Sequence, residues 1–126
     1  MKNKSMINPL LLLIFILLQI TSCGTFHPGA RQLAIDLTKQ LKDRICHTGY
    51  VPSQPCSGKD VRFDADLGAA VYINIYGINN EKEVEMLANF AANFRDERDK
   101  SIPVYLSFYG DLTKSRKIKS IEIKGS

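Results

Sequence analysis

The sequence contains no tryptophan, only two histidines and only three cysteines in 126 residues. With so few ligand-type side chains, neither a His-rich metal centre nor a paired Cys-x-x-Cys zinc knuckle is present. A nucleophilic hydrolase needs a nucleophile, a base and an orienting group, and no Gly-x-Ser-x-Gly elbow supplies the first. Of the two histidines, His27 falls just before the first helical signal and His47 follows Cys46 directly, where adjacent side chains diverge. Catalytic residues are therefore not expected. Net charge is also in short supply: with Lys2 and Lys4 set aside, 15 Lys and Arg face 13 Asp and Glu. That balance gives no reason to expect nucleic acid as a partner. Repeats and low-complexity segments are absent, and the length suits one domain.

The one long apolar run, Leu10 to Ile20, is well short of the ~20 residues that cross a bilayer as a helix. It follows two lysines and leads into Thr21-Ser22-Cys23-Gly24, so a basic region, an apolar region and a small-residue cleavage site come in the order of an export signal. Ile20-Thr21-Ser22-Cys23 resembles the lipobox of bacterial lipoproteins, with an aliphatic residue three before the cysteine and small residues between. The resemblance implies removal of residues 1–22 and lipidation of Cys23 as a diacylglyceryl thioether with an acylated amino group. It also implies a lipid anchor in the cell envelope. Gly24 is not the aspartate that retains many such proteins in the inner membrane, so the expected location is the periplasmic leaflet of the outer membrane. With Cys23 assigned to the anchor, Cys46 and Cys56 remain as an even pair in an oxidising compartment and are expected to form a disulfide. Residues 23–27 become a lipidated tether too short to hold the domain away from the membrane, since Gly24 to His27 span at most ~14 Å.

Residues 28–126 read as one small α+β domain. Ala30, Leu33, Ala34, Leu37, Leu41 and Ile45 recur at helical spacing, which predicts a helix over Pro28–Ile45 with Arg31, Lys39, Lys42 and Asp43 mostly opposite. Gly49, Pro52, Pro55 and Gly58 predict a loop tied at its ends by the cysteines. Asp60–Asp66 is a candidate short strand. Gly68–Gly77 is the clearest strand, with Val71, Ile73 and Ile75 alternating with Tyr72, Asn74 and Tyr76. Asn80 with Glu83 three residues later forms a capping-box pattern for a helix to about Arg98. Ile102–Tyr109 repeats the alternation, and Lys117–Lys124 is a last strand after a short turn.

The order is helix, candidate strand, strand, helix, strand, strand. It predicts a mixed sheet of three to four strands packed by two helices, with a parallel crossover and a terminal antiparallel hairpin. Tyr76-Gly77 followed by Glu81 to Ala91 is weakly similar to the strand-glycine-turn-helix pattern of BON domains of bacterial envelope proteins. Ile102-Pro103-Val104 departs from the glycine-valine start of the next strand in that family.

Several polar groups have a plain structural reading. Asp60, Asp64 and Asp66 before Gly68 lack the distal glutamate of a calcium loop and read as a polar strand end, so no metal or other cofactor is expected. Glu81, Glu83 and Glu85 complement a helix N-terminus. Lys114, Arg116, Lys117, Lys119 and Lys124 gather on the last hairpin, where they either meet anionic headgroups or an acidic partner, or guard an edge strand against mispairing. Tyr72, Tyr76, Tyr105 and Tyr109 share the sheet face opposite Val71, Ile73, Val104 and Leu106 and form a candidate partner surface, unless the first helix covers them. The functional expectation is a membrane-anchored envelope lipoprotein acting as a non-catalytic binding or scaffold module for another envelope protein. The alternative is an inhibitor or immunity lipoprotein directed against a toxin or wall hydrolase.

Overall fold

A computed structural model of the chain describes residues 26–64 and 68–126. The expected export signal at 1–22, the expected lipidation site Cys23 and Asp66 lie outside the described residues. The domain is α+β, with helix α1 (Ala30–Ile45), strands β1 (Asp60–Asp64) and β2 (Val71–Tyr76), helix α2 (Glu81–Arg98), and strands β3 (Val104–Tyr109) and β4 (Lys117–Ile123). The strands lie in one sheet in the order β1-β2-β3-β4. β1 and β2 pair antiparallel, β2 and β3 parallel through the α2 crossover, and β3 and β4 antiparallel. No described helix is long and apolar enough to cross a membrane.

Each helix forms where its sequence supplies both a stripe and an end signal. α1 buries Ala30, Leu33, Ala34, Leu37 and Leu41, the stripe its periodicity predicts, with Ile45 packed at the margin. Its start differs from the expectation. The helix begins at Ala30 rather than Pro28, with Gly29 as its N-cap, and Pro28 sits in the preceding turn, closed by the Ala30 N–H donating to the His27 carbonyl at 3.0 Å. Asn80 caps α2 as the sequence predicts, its side-chain oxygen accepting from the N–H groups of Lys82 at 2.8 Å and Glu83 at 3.4 Å. Glu81 and Glu83 then lie in the positive first turn.

Both parallel strands are shorter than their apolar runs. Pro103 has no N–H to give to a ladder, so β3 starts only at Val104, although the Pro103 carbonyl still accepts from Val71 N–H at 2.9 Å. β2 stops at Tyr76 because Gly77 turns the chain with φ +83°, and a Cβ there would run into the Gly58 carbonyl.

Helices α1 and α2 touch each other and pack on the same face of the sheet. The core is a single cluster in which the helix stripes meet Val61, Val71, Ile73, Ile75, Val104, Leu106 and Phe108. Arg95 is buried inside this frame. Its guanidinium donates to the carbonyls of Ile102 at 2.8 Å and Lys124 at 2.9 Å, so one side chain fixes both the approach to β3 and the exit of β4.

Cys46 and Cys56 are joined in a disulfide, with Cα atoms 5.7 Å apart. The enclosed loop is held at two more points. Lys42 Nζ donates to the Pro52 carbonyl at 2.6 Å, and the Tyr50 hydroxyl donates to Asp43. The hydrogen bond to Asp43 pushes the Tyr50 phenol up to about 12, with burial and the aspartate charge acting in the same sense. Replacing both cysteines by serine should lower the unfolding free energy by about 3 kcal/mol, the loop-closure entropy of a loop of this length. Urea denaturation of the oxidised protein and the double variant measures the difference, and equal midpoints would show that these two side-chain bonds hold the loop unaided.

Candidate functional site

In-register parallel pairing places Tyr72 beside Tyr105, Asn74 beside Ser107 and Tyr76 beside Tyr109. Alternation then directs these side chains away from the helices, and among the described residues no helix covers them. The flanking strands extend each pair into a row of four. Asp64, Tyr72, Tyr105 and Glu122 form one row; Arg62, Asn74, Ser107 and Ser120 the middle one; Asp60, Tyr76, Tyr109 and Lys117 the third.

The tyrosines stack in two cross-strand pairs. Ring centroids of Tyr72 and Tyr105 are 4.9 Å apart with an 11° interplanar angle, and those of Tyr76 and Tyr109 are 5.2 Å apart at 17°. The two pairs differ in exposure. Tyr72 is 41% exposed and Tyr105 half-buried, whereas Tyr76 is only 2% and Tyr109 6% exposed. Cations sit over the buried pair: Arg62 lies 5.0 Å from the Tyr76 centroid and Lys117 Nζ 5.9 Å from that of Tyr109. Partial burial and the nearby Glu122 carboxylate raise the Tyr105 phenol above its usual pKa. Beside Tyr72 and Tyr105, Ser107, Ser120 and Glu122 line a shallow hollow.

No protein-family model, curated protein or solved structure matches this chain.

The four predicted tyrosines thus share one face and touch in pairs, but they do not form one uniform surface. The alternative, that α1 covers them, does not hold: α1 packs against β1, β2 and α2 on the aliphatic face. Tyr76 and Tyr109 belong to the structure of the sheet, and Tyr72 and Tyr105 are the part open to contact.

The basic hairpin residues also divide by position. Lys114, Arg116 and Lys117 stand at the end of the sheet where β2 and β3 finish, and Lys119 follows one step inward. Lys124 comes after the end of β4, beside the start of β3. β4 pairs on one side only, so its lysines do lie on an edge strand.

Asp60 and Asp64 have partners other than a metal. Asp64 accepts from the Asn74 side-chain amide at 3.2 Å. Asp60 is buried and accepts from Lys42 Nζ at 2.8 Å, Arg62 Nε at 2.6 Å and the Val61 N–H at 2.9 Å. Burial pushes the Asp60 carboxyl upward, but the bonds from Lys42, Arg62 and Val61 outweigh it and hold the group below the usual range. Among the described residues, no three His, Cys, Asp or Glu side chains converge as a metal site.

His27, Ser101 and Asp99 come together where α2 gives way to β3. Ser101 Oγ donates to Asp99 at 2.5 Å and lies 3.5 Å from His27 Nδ1. A hydrolytic triad needs the imidazole between carboxylate and hydroxyl, whereas here the carboxylate bonds the hydroxyl directly. Ser101 N–H also donates to Asp99 at 2.9 Å, which makes the group an aspartate-closed turn.

Sequence reasoning missed Lys42, which it placed on the solvated face of α1. Position 42 lies eight residues after Ala34, on the flank of the buried stripe, and its signal was the aspartate that opens the next strand.

Two predictions follow from this geometry. Tyr76→Ala should cost about 3 to 5 kcal/mol, as for other buried aromatics, and Tyr72→Ala under about 1 kcal/mol; equal losses in chemical denaturation would contradict the difference in burial. Asp60→Ala should cost about 3 to 5 kcal/mol, because it strands the buried Lys42 ammonium. Since the folded Asp60 pKa is lowered, the pair contributes stability above the unfolded value near ~3.9 and loses it as pH falls through the folded value. Asp60→Asn should flatten that part of the acid limb of a stability-against-pH curve, and an unchanged slope would remove the linkage.

Proposed function

We propose that this chain is a lipid-anchored protein of the bacterial cell envelope that acts as a non-catalytic binding or scaffold module for another envelope protein. The observation that carries the reading is the division of the three cysteines. Cys23 directly follows Ile20-Thr21-Ser22 at the end of an export-type signal, and the other two are joined as a structural disulfide. A disulfide that closes a surface loop of a small domain suits an oxidising compartment, which an exported protein reaches.

Binding rather than catalysis is favoured by what the polar groups do. Asp60 is committed to Lys42 and Arg62, and Asp99 to the turn at Ser101. The surfaces open to contact are exposed Tyr72 with half-buried Tyr105 at one end of the sheet and the basic hairpin at the other.

Palmitate labelling in a bacterial host should tag the wild-type chain and not Cys23→Ser, which should also accumulate with residues 1–22 attached. Labelling that survives the substitution would overturn the anchor. Cross-linking followed by purification from detergent-solubilised envelopes tests the binding role: a stoichiometric resident envelope component supports a scaffold. Recovery of a toxin or wall hydrolase, inhibited by the purified domain, would replace that role with an inhibitor or immunity function.

A further inference from the structure

The folded domain begins at His27, whose N–H donates to the Gly68 carbonyl at 2.8 Å. Only Gly24, Thr25 and Phe26 separate it from Cys23. The three steps from Cys23 to Phe26 reach at most ~11 Å. The headgroup layer on each side of a bilayer is itself roughly 5 to 8 Å thick. If Cys23 carries acyl chains, Phe26 lies within that layer or no more than about 6 Å beyond it.

The topology determines what stands beside Phe26. β2 and β3 both start at this end, β4 finishes here, and the Ser126 N–H donates to the Lys100 carbonyl at 2.8 Å. Phe26 is 67% exposed, yet its ring has a seat: a Cβ on Gly68, which has φ +91°, would lie 2.5 Å from it. Exposed Tyr72 and half-buried Tyr105 belong to the same end, since each lies one residue into its strand. A hollow lined in part by His27, Ser101, Pro103 and Tyr105 runs from the residue after Phe26 to one ring of the pair.

Charge at this end is mixed, with Lys100 and Lys124 near Asp64, Asp99 and Glu122, so the common feature is aromatic. Aromatic side chains with an apolar body and a polar tip favour the membrane interface. The basic hairpin is a strand length away, about 20 Å, more than twice the ~8 Å over which physiological salt screens charge.

We propose that the Phe26, Tyr72 and Tyr105 end of the sheet is seated in the headgroup layer of the anchoring bilayer. The strands then stand off the membrane, and Lys114, Arg116 and Lys117 project into the periplasm as the surface left for a protein partner. The proposal rests on the anchor reading and adds a fixed orientation to it.

The absence of tryptophan makes the test direct. Full-length protein processed in the host is reconstituted into phosphatidylethanolamine and phosphatidylglycerol vesicles containing brominated lipid, with one tryptophan per variant. Phe26→Trp and Tyr72→Trp report on the seated end and Leu112→Trp, at an exposed hairpin position, on the far end. Bromolipid should quench the first two several-fold more than the third, which iodide should quench instead. Replacing the phosphatidylglycerol by phosphatidylcholine should leave that pattern unchanged. Intact mass separates the two ways of failing. An acylated protein with solvent-like Trp at position 26, or with equal bromolipid quenching at all three positions, overturns the orientation and leaves the anchor standing. A protein without acyl chains overturns both.

Discussion

Parallel pairing of β2 and β3 in the register Val71–Val104 to Tyr76–Tyr109 is the constraint on which the rest of the domain depends. One register gathers six aliphatic and aromatic side chains on the face that meets the helices and puts the four tyrosines on the other. A slip of one residue in either strand would turn its apolar set outward and bury polar Asn74 or Ser107 under the helices. The in-register arrangement is also the one that lets equivalent tyrosines stack, so both faces favour the same pairing. The crossover helix α2 spans the connection that parallel strands require, and Arg95 inside it reaches both the approach to β3 and the chain beyond β4. Sheet closure and helix docking are thereby coupled through one guanidinium.

The two ends of the sheet differ in chemistry because the connections differ. At the end where β2 and β3 finish lie the disulfide loop, the N-terminus of α2 and the lysine-rich hairpin. There the tyrosine pair is buried beneath Arg62 and Lys117, and Lys42 and Asp60 hold the loop against α1. At the opposite end both chain termini of the folded domain come together, and Phe26 and Tyr72 are exposed. With Cys23 lipidated as proposed, the three residues between it and His27 would give the whole domain one orientation.

The legible parts of the sequence were those where one physical preference acts alone. The stripe from Ala30 to Leu41, the Asn80 cap and the alternation in β2 and β3 each express a local period or a local hydrogen bond, and each appears where the residues put it. Strand ends were less legible, because Pro103 and Gly77 act through a missing donor and a collision with a distant carbonyl, the second of which exists only once Gly58 has folded nearby. Lys42 was misplaced for a related reason: a long aliphatic stem with a charged tip fits either a solvated face or a buried pair, and the choice depends on an aspartate eighteen positions away in sequence.

By itself, then, the sequence determined the element order, the α+β class, the cysteine pair and the sharing of one sheet face by four tyrosines, since periodicity and parity are local properties of the chain. Only the tertiary structure decided which face the helices would take, which tyrosines would be buried, and that the basic hairpin and His27, where the folded domain begins, would occupy opposite ends. Those are outcomes of how separate segments compete for the same apolar surface and of where the connections place their ends. No window of sequence shorter than the domain contains that competition.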